Sequence, residues 1–370
     1  MSKTTPTKRL LSLDALRGFD MFWIIGGGAF FMALADATHW GWLESMSEQL
    51  KHVRWEGFRA WDLIFPLFMF ISGVAIPFAI LSKLKKGHSK ASLVKKIVKR
   101  AVILVILGCV YNGIFRLHFA EPGFRFASVL AQIGLGYFFA GLIVIYTRNF
   151  KFRLIWVGGM LLGYAIIQNF IPVPGFGAGD LTPEGSINSY IDQILLPGRL
   201  YGKVYDPEGL LCIISAAGIT LMGALAGEVL RNKTWTDYKK VMILSGAGAV
   251  GIIIALIIQP FYPVIKAVWT TTFNLLAGGI SFLLLALFYL VIDVWGFRKW
   301  AFFFQIIGLN SITIYLGTQV INFGHTSKFF LGGLSEISGD YGQAIYMGGV
   351  IVAEWLFLYF LYRKKIFIRV

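Results

Sequence analysis

Charge is what this 370-residue sequence has least of: Asp, Glu, Lys and Arg together make up 14% of it, where a soluble chain carries roughly a quarter. Apolar residues reach 57% and the mean hydropathy is +0.70. A globular domain of this length has too little interior to hide so much Leu, Ile and Phe. A soluble fold is therefore excluded, and lipid is the solvent that fits. Cysteine is scarce too. Cys109 and Cys212 lie inside apolar runs and read as small buried hydrophobes, so neither a disulfide nor a metal site is expected. The sequence also lacks a soluble domain, a convincing repeat and a low-complexity tract. No cleavable leader is expected: residues 1–13 are polar and basic, and the apolar run behind them is too long for a signal core and contains Asp20. That run reads as a retained first span.

Long hydrophobic runs are what the chain has in place of charge. A helix needs about 20 apolar residues to cross a bilayer. Ten runs qualify, near 15–37, 61–84, 97–115, 126–146, 154–171, 209–230, 241–258, 271–294, 302–323 and 346–362. The expected fold is all-α, a polytopic transmembrane helix bundle of about ten spans in a single domain over residues 1–370. Eleven Trp and fifteen Tyr suit its membrane–water interfaces. Lys and Arg alternate from loop to loop. One face holds Lys3, Lys8, Arg9 and Arg17, then Lys83, Lys85, Lys86, Lys90, Lys95, Lys96, Lys99 and Arg100. It continues with Arg148, Lys151 and Arg153; Arg231, Lys233, Lys239 and Lys240; Arg298 and Lys299; and Arg363, Lys364, Lys365 and Arg369, in all 25 of 34 basic residues. By the positive-inside rule this face, with both termini, is cytoplasmic. The net charge of +15 then reads as an orientation and headgroup signal, and no nucleic-acid partner is expected.

The opposite face carries acids, histidines and long loops. Its longest, 172–207, opens on Pro172-Val173-Pro174-Gly175-Phe176-Gly177 and holds Asp180, Glu184, Asp192 and Asp206. The first outer loop holds Asp36, Glu44, Glu48 and Glu56; His39, His52, His118 and His325 lie outside and His88 alone inside. Loops of this length are expected to fold back over the membrane face and line a site. Gly26-Gly27-Gly28 and Gly246-Ala247-Gly248 fall within spans, where close helix packing is the expected use rather than phosphate binding.

Ionisable residues in or beside spans are costly and therefore informative. Four clusters stand out, each with a structural and a functional reading. His52-Val53-Arg54-Trp55-Glu56-Gly57 runs into Trp61-Asp62-Leu63-Ile64-Phe65-Pro66, which gives either an interfacial histidine or a general base oriented by a carboxylate. Asp14-Ala15-Leu16-Arg17-Gly18-Phe19-Asp20 gives either a local ion pair or an Arg17 fork that meets a phosphate. Tyr205-Asp206-Pro207-Glu208-Gly209 gives either helix-capping acids or carboxylates that hold a sugar. Leu309-Asn310-Ser311-Ile312-Thr313-Ile314-Tyr315 gives either an interhelical polar tie or a tunnel wall.

Arg9-Leu10-Leu11-Ser12-Leu13-Asp14-Ala15-Leu16-Arg17-Gly18, the His52-to-Pro66 stretch, Tyr205-Asp206-Pro207-Glu208-Gly209, Gly308-Leu309-Asn310-Ser311 with Tyr315, and the closing Leu361-Tyr362-Arg363-Lys364-Lys365-Ile366-Phe367 occur in this order. Together they resemble the membrane domain of the heparan-α-glucosaminide N-acetyltransferase family over nearly the whole chain. The extra luminal domain of the animal enzymes is not in this sequence, so the chain looks like a bacterial relative, in the inner (cytoplasmic) membrane. The resemblance implies an acetyltransferase that takes acetyl-CoA from the cytoplasm and acetylates an amino sugar on the far side, with the family's active-site histidine falling on His52. Two positions depart from the family. The animal enzymes have an asparagine just before the first-span glycines, where this chain has Ile24 and Ile25, and Asp62, Asn310 or Asn274 are candidates to replace it. A Gln-Arg pair common in the fourth span is here Ala131-Gln132.

The expected site then has His52 and Asp62 as catalytic residues, with Trp55, Glu56, Asp206 and Glu208 on the acceptor. Acetyl-CoA, the co-substrate, is expected on Arg17, Asp14, Lys95, Lys99, Arg100, Asn310, Ser311 and Tyr315, with no metal. Expected partners are acetyl-CoA, an amino-sugar or glycan acceptor and the lipid bilayer, with a homodimer left open. His52 either acts as base in a direct transfer or takes the acetyl group itself. Two other readings stay beside this one: a carrier or flippase for a sugar or lipid-linked sugar, and an O-acetyltransferase of an envelope polysaccharide.

Overall fold

The computed structural model describes residues 10–116, 123–147 and 149–368; Lys3, Lys8, Arg9, His118, Arg148 and Arg369, named above, lie outside them. The described residues form helices and no strand, with only three isolated β-bridges. Eight helices are long and apolar enough to cross a membrane, and the bent pair Ala301–Leu309 and Ser311–Val320 makes up to nine. The chain is a multi-pass membrane protein. Nine of the ten expected runs coincide with these helices. The run near 97–115 coincides with Lys90–Tyr111, a 22-residue helix that falls outside that count because Lys95, Lys96, Lys99 and Arg100 occupy its first half. It starts earlier than the apolar run because Ser89 caps it, its hydroxyl accepting the Ser92 N–H at 3.3 Å. Three shorter helices, Gly41–Gln49, Ile187–Leu195 and Phe323–Ile337, stand where the sequence reading has loops.

The chain clusters into two compact units, each assembled from separated segments. The first comprises Met1–Ser47, Thr236–Met242 and Leu284–Arg369. In it the first span is broken by a wide turn at Trp23–Gly27, where Gly26 has φ 151°, a conformation that glycine alone enters freely. The Leu11–Phe22 helix lies so near Ala301–Leu309 that a Cβ on Gly18 would fall 1.7 Å from the carbonyl oxygen of Phe304. The later pair bends by 70° at Asn310. There the Asn310 amide donates to the Ile366 carbonyl at 3.0 Å, and its oxygen accepts the Ile368 N–H at 3.1 Å.

The second unit comprises Glu48–Trp235 and Ile243–Leu283. Its central contact is Ala60–Ile76 on Cys212–Arg231, where a Cβ on Gly73 would meet the Thr220 carbonyl at 1.9 Å and one on Gly223 the Phe70 carbonyl at 2.0 Å. Small residues let the two backbones touch, which fixes the helix that carries Asp62. Gly248 likewise abuts the Gly279 carbonyl, whereas Gly246 faces open space. At the end of this unit near the Lys-rich loop, the buried Arg153 makes a forked pair with Glu228, both contacts at 2.7 Å, and donates to the Thr147 carbonyl.

Candidate active site

Asp62 occupies the first turn of the Ala60–Ile76 helix and works in two directions. Its Oδ2 accepts the backbone N–H of Arg59 at 3.1 Å, closing a helix N-terminus where the dipole favours an anion. Its Oδ1 meets Nδ1 of His52 at 2.7 Å. A carboxylate can only accept, so Nδ1 carries the proton and Nε2 keeps its lone pair. The Asp62 side chain is 1% exposed and that of His52 51%: the acid is sealed while the ring reaches solvent.

Lys266 completes this group from the loop before the Thr271–Phe288 helix. Its Nζ lies 3.2 Å from Asp62 Oδ1 and 3.0 Å from His52 Nδ1. Because the Nδ1 proton already points at Asp62, the ammonium's partner is the carboxylate. Burial pushes the Lys266 ammonium below the usual lysine range, and Asp62 opposes that shift. The loop is registered against the His52 segment by the Glu56–Ile265 bridge and by the Gly57 N–H donating to the Val264 carbonyl at 2.9 Å. Gly57 takes φ 114° there, which a side chain would strain.

A second charged group faces the first. Arg125 donates to Asp206 through Nε at 2.8 Å and Nη2 at 2.6 Å, and to Glu208. The Asn112 amide donates to the carbonyls of Arg125 and Ala127, both at 2.8 Å, which holds this segment in place. Burial works against the Arg125 charge, but the two acids outweigh it and its pKa rises. Burial raises the Glu208 carboxyl as well, against the pull of Arg125. Neither acid caps the following helix, which begins at Cys212 without a side-chain cap. They are the counterions of Arg125. Asp206 also accepts the N–H groups of Tyr201 and Glu208, each at 3.0 Å, so its buried carboxylate is fully engaged.

Between the two groups opens a cleft of about 350 Å³, lined by His52, Trp55, Arg125, Tyr205, Glu208 and Lys266 among others, a size that takes a small ligand. Trp55 is anchored by its indole N–H on the Leu181 carbonyl at 2.9 Å and packs edge-on to Tyr205. Glu56 is exposed and contributes backbone, not side chain, to the site. Among the three candidate replacements for the family's asparagine, Asp62 is the one beside His52. Asn274 is buried on Ser215, its Nδ2 reaching that hydroxyl at 2.6 Å, and Asn310 is spent on the C-terminal segment.

The residues expected to hold acetyl-CoA are spread over the two units. In the first, Arg17 lies 3.5 Å from Asp14, Ser311 is buried and Tyr315 half-buried. In the second, Lys95 and Lys99 are exposed and the Arg100 guanidinium sits 4.0 Å over the Tyr137 ring.

Sequence reasoning missed Lys266 and Arg125. A signal for both was present: they are among the few basic residues outside the Lys/Arg-rich loops. A cation placed against a strong charge bias needs a local reason, and here the reason is a buried acid.

Asp192, on the Ile187–Leu195 helix, is fully buried. Its Oδ1 accepts the Leu210 N–H at 2.9 Å, while Oδ2 has no hydrogen-bond partner among the described residues. Burial pushes its carboxyl from 3.8 up to about 7. Between those two values the folded chain holds a proton that the unfolded chain releases, so stability falls as pH rises through that window and is level above it. Asp192→Asn is expected to flatten the decline of thermal stability between pH 4 and pH 7. A melting series of the purified protein across this range checks it; an unchanged slope would mean that Asp192 is not the titrating group.

The family model described as a domain of unknown function (DUF5009) matches residues 9–174. Heparan-alpha-glucosaminide N-acetyltransferase of Mus musculus is 26% identical over 424 aligned positions, covering 100% of this chain and 62% of that protein. The Homo sapiens protein of the same name is 26% identical over 418 positions, covering 98% of this chain and 60% of its own length. The chain thus spans about three-fifths of the length of the curated relatives it matches. Along its whole length it is a distant relative of the heparan-alpha-glucosaminide N-acetyltransferases.

Proposed function

We propose that this protein is a transmembrane acetyltransferase that passes acetyl from cytoplasmic acetyl-CoA to an amino sugar, of the terminal glucosamine type, on the outer side of a bacterial inner membrane. The observation that carries the reading is the His52–Asp62 pair: a half-exposed imidazole at a cleft, its Nδ1 held 2.7 Å from a sealed carboxylate. That arrangement leaves Nε2 basic. Nε2 removes a proton from the acceptor's ammonium. The freed amine attacks the thioester carbonyl, the C–S bond breaks, and the CoA thiolate takes the proton back from Nε2–H; the second proton, lost by the nitrogen as the amide forms, passes through Nε2 to water at the open cleft. Lys266 and Asp62 hold the ring through this cycle, while Trp55 and Glu208 meet the acceptor. The kinship to proteins named heparan-alpha-glucosaminide N-acetyltransferase supports the donor and the acceptor class.

The proposed topology has ten spans, counting Lys90–Tyr111 and the bent pair as one each, and both termini in the cytoplasm. The helical stretch Ala60–Lys85 is 26 residues long, or about 39 Å at 1.5 Å per residue, more than the roughly 30 Å of bilayer hydrocarbon. Asp62 and His52 lie at one end and the Lys83-to-Arg100 cluster at the other. This separation supports donor phosphates on the basic side and the acceptor at His52.

The 70° break at Asn310 favours a second reading, a carrier, because broken helices build substrate sites in transporters. Purified protein given acetyl-CoA and a glucosamine glycoside separates the two. Acceptor-dependent release of CoA thiol is the expected result. Counterflow of the glycoside in liposomes without acetyl-CoA, with no thiol released, would establish the carrier. Incubation with labelled acetyl-CoA alone distinguishes the chemistry: label retained on His52 identifies a covalent intermediate, and its absence identifies direct transfer.

A further inference from the structure

The first unit contains a buried acid that the proposed transfer does not use. Glu354 lies in the middle of the Gly342–Arg363 helix, is 2% exposed, and its Oε2 has no hydrogen-bond partner among the described residues. A carboxylate inside a membrane span is costly without a partner and marks a site by default. Glu354 lines a cavity of about 410 Å³ that opens where the Ser311–Val320 helix ends, with Thr318, Asn322 and Tyr346 among its other walls. The last turn of any helix leaves carbonyl oxygens without intrahelical donors and forms the negative end of its dipole, which attracts a cation. Among the described residues, no Lys, Arg or His lines this cavity. The walls thus offer a carboxylate, helix-end carbonyls, a hydroxyl and a phenol and, among the described residues, no basic side chain; the first turn of the Phe323–Ile337 helix also lines them, so the Glu354 carboxylate is the group that holds a cation there.

We propose that this cavity is a binding site for a small monovalent cation, held by the Glu354 carboxylate at the end of a broken span. Two sources supply that chemistry, an alkali metal ion and the primary ammonium group of a small amine, and the volume leaves room for either with water. The site lies wholly in the first unit, whereas the His52 cleft lies wholly in the second. Its test is independent of acetyl transfer.

The test is equilibrium binding of radiolabelled sodium ion, and separately of radiolabelled methylammonium, to the purified full-length protein, with choline chloride holding ionic strength. Saturable binding of one of them at a single site is expected, with affinity reduced roughly tenfold or more in Glu354→Gln. Sodium binding that methylammonium does not displace identifies the alkali ion, and the converse identifies the amine. Should the variant not fold, wild-type protein is treated with dicyclohexylcarbodiimide, which modifies carboxyls in apolar surroundings, and the modified residue is located by mass spectrometry. Modification at Glu354 with loss of binding supports the site. No saturable binding of either cation, or binding that survives loss of the Glu354 charge, overturns it.

Discussion

His52→Ala is expected to lower acetyl transfer by roughly 10²–10⁴-fold, the range for removing a positioned general base, with little change in stability. The two effects separate because of where the ring sits. Its side chain is half exposed, so truncation removes little packing, and a substitution of this kind stays within about 0.5 kcal/mol. The buried Asp62 carboxylate does not become unpaired when the imidazole goes: it keeps the Arg59 N–H at 3.1 Å and Lys266 at 3.2 Å. Initial rates of CoA release, with a melting curve on the same sample, check this. A variant that folds and retains full transfer would remove His52 from the mechanism.

Asp62→Asn is expected to cost roughly 10²–10⁴-fold in kcat as well, a loss of the size seen when an acid that orients a catalytic histidine becomes an amide. An Asn can turn its NH2 toward Nδ1, and the ring then settles with its proton on Nε2, where it cannot act as base. The acceptor's KM changes little, since Asp62 is sealed beneath the ring. Stability falls too, because Lys266 is left as a buried ammonium without its carboxylate. The double variant Asp62→Asn with Lys266→Met is expected to recover the melting temperature and not the activity. Recovery of both would mean that the single variant failed only through destabilisation, and the orienting role would be lost.

Much of the fold was legible because lipid simplifies the question. Long apolar runs coincide with the eight helices long and apolar enough to cross a membrane and with the bent pair. What escaped was local. Lys90–Tyr111 begins at a serine cap inside a lysine-rich stretch, where composition suggests a loop. The break at Asn310 comes from one side chain reaching residues 56 and 58 positions further on, which no local pattern reveals. Within the site, the His52–Asp62 pair was readable because both partners lie on one short stretch ahead of a helix. Asp206 and Glu208 were recognised as a pair of acids, but their partner Arg125 is 81 and 83 residues away. Lys266 is 214 residues from His52. Such pairings are set by tertiary contact, and only the charge bias of the loops hints at them.

The proposed transfer divides its labour across the membrane, with the donor on the Lys-rich side and the acceptor at His52 on the other. Sealed vesicles of known orientation test it most directly. Acetyl-CoA is enclosed on the side of the Lys83-to-Arg100 loop and a membrane-impermeant glucosamine glycoside supplied on the opposite side. Acetylated glycoside is expected to accumulate on the acceptor side while CoA thiol stays with the donor, and neither is expected to form when the two substrates are exchanged. Product formed only when both substrates share one side would contradict it.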